Sequence, residues 1–213
     1  FGAPRQVLVT ETALHQPEVG ALLSRLASPP ILLADPLFHA LSSVEHGVGL
    51  AFVVVTPVAA IPERVEQDAV YLDRLQDPGN VGTILRTCAA VGVRQVFTAP
   101  QTVWCWSPKV LRAGMGAHFH LDIHEAVPWT TLAPTVRARI RATTVVGAVD
   151  LYAADLREPS LWMFGREGDG LDPALMADVA TRISIPQSPG VESLNVGVAA
   201  AVCLYEQFRQ RRG

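Results

Sequence analysis

Residues 183–208 read I-S-I-P-Q-S-P-G-V-E-S-L-N-V-G-V-A-A-A-V-C-L-Y-E-Q-F. The fold turns on this passage. Ile183 and Ile185 are β-branched and spaced for one face of a short strand, which Pro186 stops. Pro189-Gly190 predicts a turn, and residues 196–204 are almost all apolar, as a buried helix requires. Ser193 and Asn195 stand at the start of that helix, where short polar side chains accept from unpaired backbone N–H groups. A strand, a polar Gly/Pro turn and a helix N-terminus together form a common ligand-binding unit of α/β proteins.

Two further Gly-bearing turns follow predicted strands. D-P-G-N-V-G, residues 77–82, follows a strand at 70–75, and G-R-E-G-D-G, residues 165–170, follows one at 161–164. From Asp68 onward strands and helices alternate. A helix at 80–91 places Val81, Ile84, Leu85 and Cys88 on its apolar side and ends at Gly92. A strand at 93–98, a helix at 107–116, a helix end near 137–141, a strand at 145–149 and a short helix at 172–179 complete the series. Such alternation predicts a mostly parallel sheet with helices on both faces. All three turns then lie at the C-terminal ends of strands, the edge where ligands bind, and glycine lets backbone approach a ligand closely. None of the turns spells G-x-G-x-x-G or G-x-x-x-x-G-K-[ST], which counts against a dinucleotide-dependent oxidoreductase.

Upstream, residues 1–56 read as a small α/β unit. Strands are expected at 7–9, 31–33 and 49–55, with helices at 18–27 and from Asp35-Pro36. Residues 57–67, with two prolines and mixed charge, suit a linker. The chain of 213 residues is 49% apolar and 17% charged, a globular composition. Its longest apolar runs, such as 48–55, are too short to cross a bilayer. Three cysteines without paired spacing point to a reducing, cytoplasmic setting. Phe1 is no natural start, so further residues are expected before it.

The net charge of −3 weighs against an extended nucleic-acid-binding surface. It is unevenly spread: residues 1–67 hold three basic and six acidic side chains, and residues 68–213 hold fourteen of each. Lys109 is the one lysine among seventeen basic residues. Local arginine patches are therefore the expectation. Arg86 lies on the helix at 80–91 beside Leu85 and Cys88, and by itself reads equally well as a solvated side chain. Glu167 by itself reads as a partner for Arg166. His118, His120 and His124 invite a metal reading, with alternation placing the first two on one strand face. No Cys or Glu arrangement completes a ligand set, so no metal is expected. Trp104-Cys105-Trp106 is compatible with base stacking and with ordinary packing.

Taken together the three turns resemble the three signature motifs of the SpoU-type RNA ribose 2′-O-methyltransferases of the SPOUT class. The first corresponds to D-P-G-N-V-G-T-I-L-R-T-C-A-A-V-G, residues 77–92. The second corresponds to L-W-M-F-G-R-E-G-D-G-L, residues 161–171, and the third to I-P-Q-S-P-G-V-E-S-L-N-V-G-V-A-A-A-V, residues 185–202. S-P-K-V-L-R-A-G-M-G-A-H-F, residues 107–119, fits the middle of the family. The match covers about residues 68–210. Two departures are Arg166, where the family usually has Asn, and Gly114, where it usually has Ser. Residues 1–56 resemble the ribosomal-protein-like substrate-recognition domain that often precedes this catalytic domain. E-H-G-V-G-L-A, residues 45–51, matches its usual end, and its usual start lies upstream of Phe1.

The resemblance implies S-adenosylmethionine as methyl donor and a ribose 2′-hydroxyl of structured RNA, ribosomal before transfer RNA, as acceptor. It also implies a homodimer and a C-terminal trefoil knot, which no periodicity argument would produce. Gly165, Ile185 and Leu194 would cradle the cofactor. Asn80, Arg86, Glu167, Ser193 and Asn195 occupy the catalytic and RNA-facing positions. Arg86 has been treated as a general base in such enzymes, but a guanidinium seldom gives up its proton. Binding a neighbouring phosphate and stabilising a developing alkoxide suits it better. A catalytically silent RNA-binding protein of the same fold is the alternative, and the presence of all five residues favours the enzyme.

Overall fold

The computed structural model describes residues 2–42, 47–144 and 148–212. The chain forms two compact units, Phe1–Pro57 and Val58–Gly213.

The smaller unit runs β1 (Gln6–Thr10), α1 (Glu11–Leu14), α2 (Pro17–Leu23), β2 (Ile31–Leu33), α3 (Asp35–Leu41) and β3 (Leu50–Val53). Its sheet has the order β2-β1-β3. β1 pairs in parallel with β2, Leu8 opposite Ile31, and antiparallel with β3, Leu8 opposite Ala51. Val9, Ala13 and Val19 form the core, with Leu23 and Leu50 packed against them. Thr10 closes β1 and caps α1, its hydroxyl accepting from the Ala13 N–H at 3.0 Å. Residues 45 and 46 of the expected domain end lie outside the described residues.

In the larger unit the order is β4 (Ala69–Leu72), α4 (Pro78–Val91), β5 (Gln95–Thr98), α5 (Pro108–Gly114), a 3₁₀ turn (Ala117–His120) and β6 (Asp122–His124). There follow α6 (Trp129–Leu132), β7 (Arg139–Thr143), β8 (Val149–Asp150), β9 (Ser160–Phe164), α7 (Pro173–Met176), β10 (Thr181–Ser184) and α8 (Val196–Arg212). The seven strands are ordered β6-β5-β4-β9-β7-β10-β8, and every pairing is parallel. This is the mostly parallel α/β sheet that the alternating pattern predicts. β10 lies between β7 and β8, which are consecutive in the chain.

Strand alternation divides the core between the two faces of the sheet. Val70, Leu72, Val96, Trp162, Phe164 and Ile183 pack with α4, α5 and α8 on one face. Tyr71, Phe97, Leu161 and Met163 pack with Leu132 and Leu175, from α6 and α7, on the other. All five residues of β9 are buried, as expected of a strand covered on both sides. α4 begins at Asp77, whose carboxylate accepts the Asn80 N–H at 2.7 Å, and stops at Gly92 with φ of +81°. At Gly82 it presses on α5 so closely that an added Cβ would overlap Ala113. Val65, within the span read as a linker, is fully buried and bridged to Val136.

Two expectations are corrected, and a third lies largely outside the described residues. Residues 137–141 do not lie at a helix end, because Arg139–Thr143 is strand β7. Its two arginines interrupt the apolar signal, yet Arg141 is buried with its donors used, Nε to the Ser160 hydroxyl and Nη2 to the Asp155 carbonyl. His118 and His120 are not on a strand: they lie in the 3₁₀ turn, and the strand that follows begins at Asp122. The strand expected at 145–149 falls largely outside the described residues, and Val149–Asp150 forms β8.

Candidate active site

The three Gly-bearing turns meet through their side chains. Asn80, on the first turn of α4, donates from Nδ2 to Glu167 Oε1 at 2.7 Å. Its Oδ1 accepts from Asn195 Nδ2 at 2.9 Å. Asn195 Oδ1 accepts the N–H groups of Gly197 (2.9 Å) and Val198 (3.2 Å), so it caps α8 while reaching across to α4. The direction of each amide follows from the backbone. Two N–H donors fix Asn195 Oδ1, which turns its Nδ2 to Asn80, which turns the Asn80 Nδ2 to a carboxylate. A Cβ at Gly197 would stand in ordinary contact with Asn80 Oδ1 and the Thr83 methyl, at 3.5 and 3.4 Å, and would crowd only Asn195 Oδ1, at 3.2 Å. One chain of hydrogen bonds thus links residues 80, 167 and 195.

Arg86 lies six residues beyond Asn80 on the same helix, about 9 Å further along its axis and a third of a turn round. It is exposed, and its side chain has no hydrogen bond or ion pair among the described residues. Ser193 is exposed too, three residues before α8, and no hydrogen bond among the described residues joins it to the Asn80 network. The structure therefore brings Asn80, Glu167 and Asn195 together and leaves Arg86 and Ser193 outside their hydrogen-bonded chain.

Gly165 follows β9 at the C-terminal edge, and a Cβ on it would overlap Gly170 and Leu171, so the turn carrying Glu167 folds back on a bare backbone. Arg166 forms an ion pair with Asp169 at 3.4 Å within that turn and stays half-exposed. Ile185 and Leu194 are half-buried at the two ends of residues 185–194, which form neither helix nor strand and include Gly190 at φ of +89°. Between them the Gln187 Oε1 atom is buried and accepts no hydrogen bond among the described residues. An unfilled acceptor between two apolar side chains suits a ligand with an amino donor and an apolar face.

Sequence reasoning passed over the residues that brace this turn. Asp73 is buried at the end of β4 and accepts the Asp172 N–H at 2.9 Å. Arg74, held at φ of +55°, donates to both of its oxygens at 3.0 and 2.9 Å. That fork raises the Arg74 pKa above its ordinary value. Burial of the Tyr71 hydroxyl, followed by the nearby Asp73 charge, pushes it well above the usual phenol value. The available signal was a charged pair directly after a fully apolar strand.

The remaining candidates separate. His118 is buried, with Nε2 at 2.9 Å from the Cys105 carbonyl and its ring tilted on Trp106. His124 stacks on Phe97, and His120 is exposed. Trp106 is buried and Trp104 exposed, so the two tryptophans of one short stretch have different fates.

A parallel α/β sheet with three polar turns gathered at its C-terminal edge defines a ligand-binding or group-transfer domain. Residues 68–205 match the model of the SpoU rRNA Methylase family, and the chain belongs to that family. It is 40% identical over 143 residues to an uncharacterised tRNA/rRNA methyltransferase of Synechocystis sp., covering 66% of this chain and 52% of that protein. To the 23S rRNA (guanosine-2′-O-)-methyltransferase RlmB of Bordetella pertussis it is 36% identical over 151 residues, covering 67% of this chain and 59% of the relative. The chain thus spans little more than half the length of these curated relatives. The crystal structure of the SpoU methyltransferase AviRb from Streptomyces viridochromogenes, in complex with AdoMet, superposes with a TM-score of 0.84 at 27% identity, covering 98% of this chain and 83% of that one.

Proposed function

We propose that this protein transfers a methyl group from S-adenosylmethionine to a ribose 2′-hydroxyl of ribosomal RNA. The observation that carries the reading is the hydrogen-bonded chain Glu167–Asn80–Asn195, which ties all three family motifs together. RlmB supports ribosomal over transfer RNA as substrate. AviRb, crystallised with AdoMet, supports the donor.

In this reading Gly165, Ile185 and Leu194 hold the cofactor, with Gln187 Oε1 available to its amino groups. S-adenosylmethionine, when bound, supplies an electrophilic methyl on a sulfonium. Arg86 binds a phosphate next to the acceptor ribose and stabilises the 2′-oxygen as its proton passes to solvent water and the methyl moves from sulfur to that oxygen, leaving a neutral thioether. Asn80 and Asn195, each with one amide orientation, place the ribose, and Glu167 keeps Asn80 turned the right way. Ser193 positions substrate or backbone at the mouth of the site. No step calls for a metal, and much of the acceleration comes from alignment.

Three wider features belong to the same proposal. The chain acts as a homodimer in the cytoplasm, with Val198, Val202 and Tyr205 forming an apolar stripe on α8 that suits a second copy; Val198 and Tyr205 are about half exposed. The position of β10 between β7 and β8 is the strand order expected if the chain threads a trefoil knot. Residues 1–56 serve as an RNA-recognition unit.

The test is methyl transfer from radiolabelled S-adenosylmethionine to ribosomal RNA from a strain lacking the protein, followed by mapping of ribose methylation. Labelled 2′-O-methylribose at one position is the expected result. Tight RNA and cofactor binding without any transfer would sink the enzyme and leave a silent RNA-binding protein.

A further inference from the structure

Between Asp77 and Asp122 the chain has no acidic residue, while it has four cations, Arg86, Arg94, Lys109 and Arg112. In a protein of net charge −3 this is a strong local excess. Arg94 pairs with Asp122 at 3.6 Å. The side chains of Arg86, Lys109 and Arg112 are exposed and have no ion pair or hydrogen bond among the described residues. Exposed apolar groups stand among these cations. Leu111 and Met115 lie one helical turn apart, Phe119 follows in the 3₁₀ turn, and Trp104 precedes α5; Met115 and Phe119 are 70% and 72% exposed. The N–H of Cys105, next to Trp104, is held by Glu125 Oε1 at 2.6 Å. The Trp104 ring itself is half exposed.

α5 is packed at Ala113 against Gly82 of α4, two residues beyond Asn80, so the helix that carries these cations is the neighbour of the helix that carries the site. Cations without partners serve phosphates, and flat or polarisable side chains between them serve base faces. A continuous duplex keeps its bases stacked on one another and offers such a surface only backbone and groove. A self-complementary contact between two copies would bring Lys109 and Arg112 toward their own kind, which costs energy. We infer that the face formed by Trp104, Lys109, Leu111, Arg112, Met115 and Phe119 binds unpaired bases of the RNA strand flanking the methylated nucleotide. The inference rests on the methyltransferase reading above. It specifies that the substrate is a loop or single-stranded segment at that point.

Fluorescence anisotropy of the full chain with labelled oligouridine and with a blunt RNA duplex tests it. The combined variant Trp104→Ala and Phe119→Ala alters two exposed rings and should keep the thermal midpoint and S-adenosylmethionine binding of wild type. It is expected to lose about tenfold or more in affinity for oligouridine and little for the duplex. The combined variant Lys109→Gln and Arg112→Gln should lower the slope of log affinity against log salt by about 1.4 on oligouridine. Unchanged oligouridine affinity in the aromatic variant overturns the inference, and so does an equal loss on both RNAs. A shift from dimer to monomer in sedimentation at unchanged RNA affinity also overturns it, assigning the face to a second copy. In each of those cases wild-type transfer to ribosomal RNA persists and the methyltransferase reading survives. If wild type neither binds RNA nor transfers a methyl group, both fall.

Discussion

The two edges of the seven-stranded sheet use the same kinds of polar side chain to opposite ends. At the N-terminal edge Asp68 Oδ1 accepts from the Ser160 N–H, Gln207 Nε2 and Arg211 Nη2 at 2.9, 2.8 and 3.0 Å, and Oδ2 pairs with Arg211 Nη1. Arg211 also donates to the Glu158 and Arg157 carbonyls at 2.7 and 3.1 Å. Gln207 Oε1 takes the Trp162 indole N–H. Helix α8 is thereby fastened to the base of β4 and β9. At the C-terminal edge the same helix begins in a network that ends on an exposed Glu167, and the side chains of Arg86 and Ser193 are exposed with no bond among the described residues. A saturated edge holds the fold. An unsaturated one keeps donors and acceptors in reserve for a ligand.

Substitutions at the two edges should separate activity from stability. Arg86→Ala has the largest expected effect, a fall of about 10²–10³ in methyl transfer, comparable to removing one stabilising donor from a developing anion. Its thermal midpoint should match wild type within the spread of surface substitutions. Unimpaired transfer would remove Arg86 from the chemistry. Asp68→Ala should do the reverse, costing about 2–3 kcal/mol of stability in urea unfolding, because Gln207, Arg211 and the Ser160 N–H lose their acceptor together. Its folded fraction should retain wild-type transfer. A parallel loss of rate at unchanged stability would show that the two edges are not independent.

The contrast between the edges explains what could be read in advance. Gly165, Asn195 and Gly92 announce themselves because glycine at a tight approach or a helix stop and Asn at a helix start have local physical causes, whereas Asn80 stands out only through the family resemblance. The Asp68 hub has none: Ser160, Gln207 and Arg211 are far from it in sequence and reach it only once the sheet is assembled. Arg141 misled for a related reason, since an arginine in a buried strand depends on a hydroxyl and a carbonyl supplied by residues 160 and 155. Asp73 and Arg74 lay in plain view beside β4, but their use became clear only when Asp172 arrived to be held.

Asn80→Asp would test whether the amide directions at the open edge matter. The substitution sets a carboxylate against Glu167 where a donor now stands at 2.7 Å. Repulsion should turn one of the two away and slow transfer by about tenfold. Part of the rate should return on acidification, because one shared proton restores a donor between the carboxyl groups. A pH–rate profile parallel to that of wild type would show that Asn80 acts without Glu167.

The smallest effect concerns acid. Burial lowers the pKa of both His118 and His124 below the ordinary 6.5, and the Nδ1 atom of each is buried without a partner among the described residues. His118 shows its Nε2 to the Cys105 carbonyl, which calls for the proton on that nitrogen and leaves Nδ1 bare beside Gly114. As pH falls through 6.5 the unfolded chain takes up these protons before the folded one does, so unfolding gains. Stability present above 6.5 is lost progressively below it. The carboxylates near the N-terminal edge behave differently. Arg157 holds Asp155, and Arg209 holds Glu206, below the usual range, so both stay charged until the solution is far more acidic. Between pH 7 and roughly 5.5, amides of residues 117–124 should lose hydrogen-exchange protection, corrected for intrinsic rates, while those of the last turns of α8 keep theirs. His118→Gln, which keeps a donor for Cys105 but cannot titrate, should flatten part of that loss. Equal loss at both ends of the sheet would mean that acid acts on the fold as a whole, with no weak side at β6.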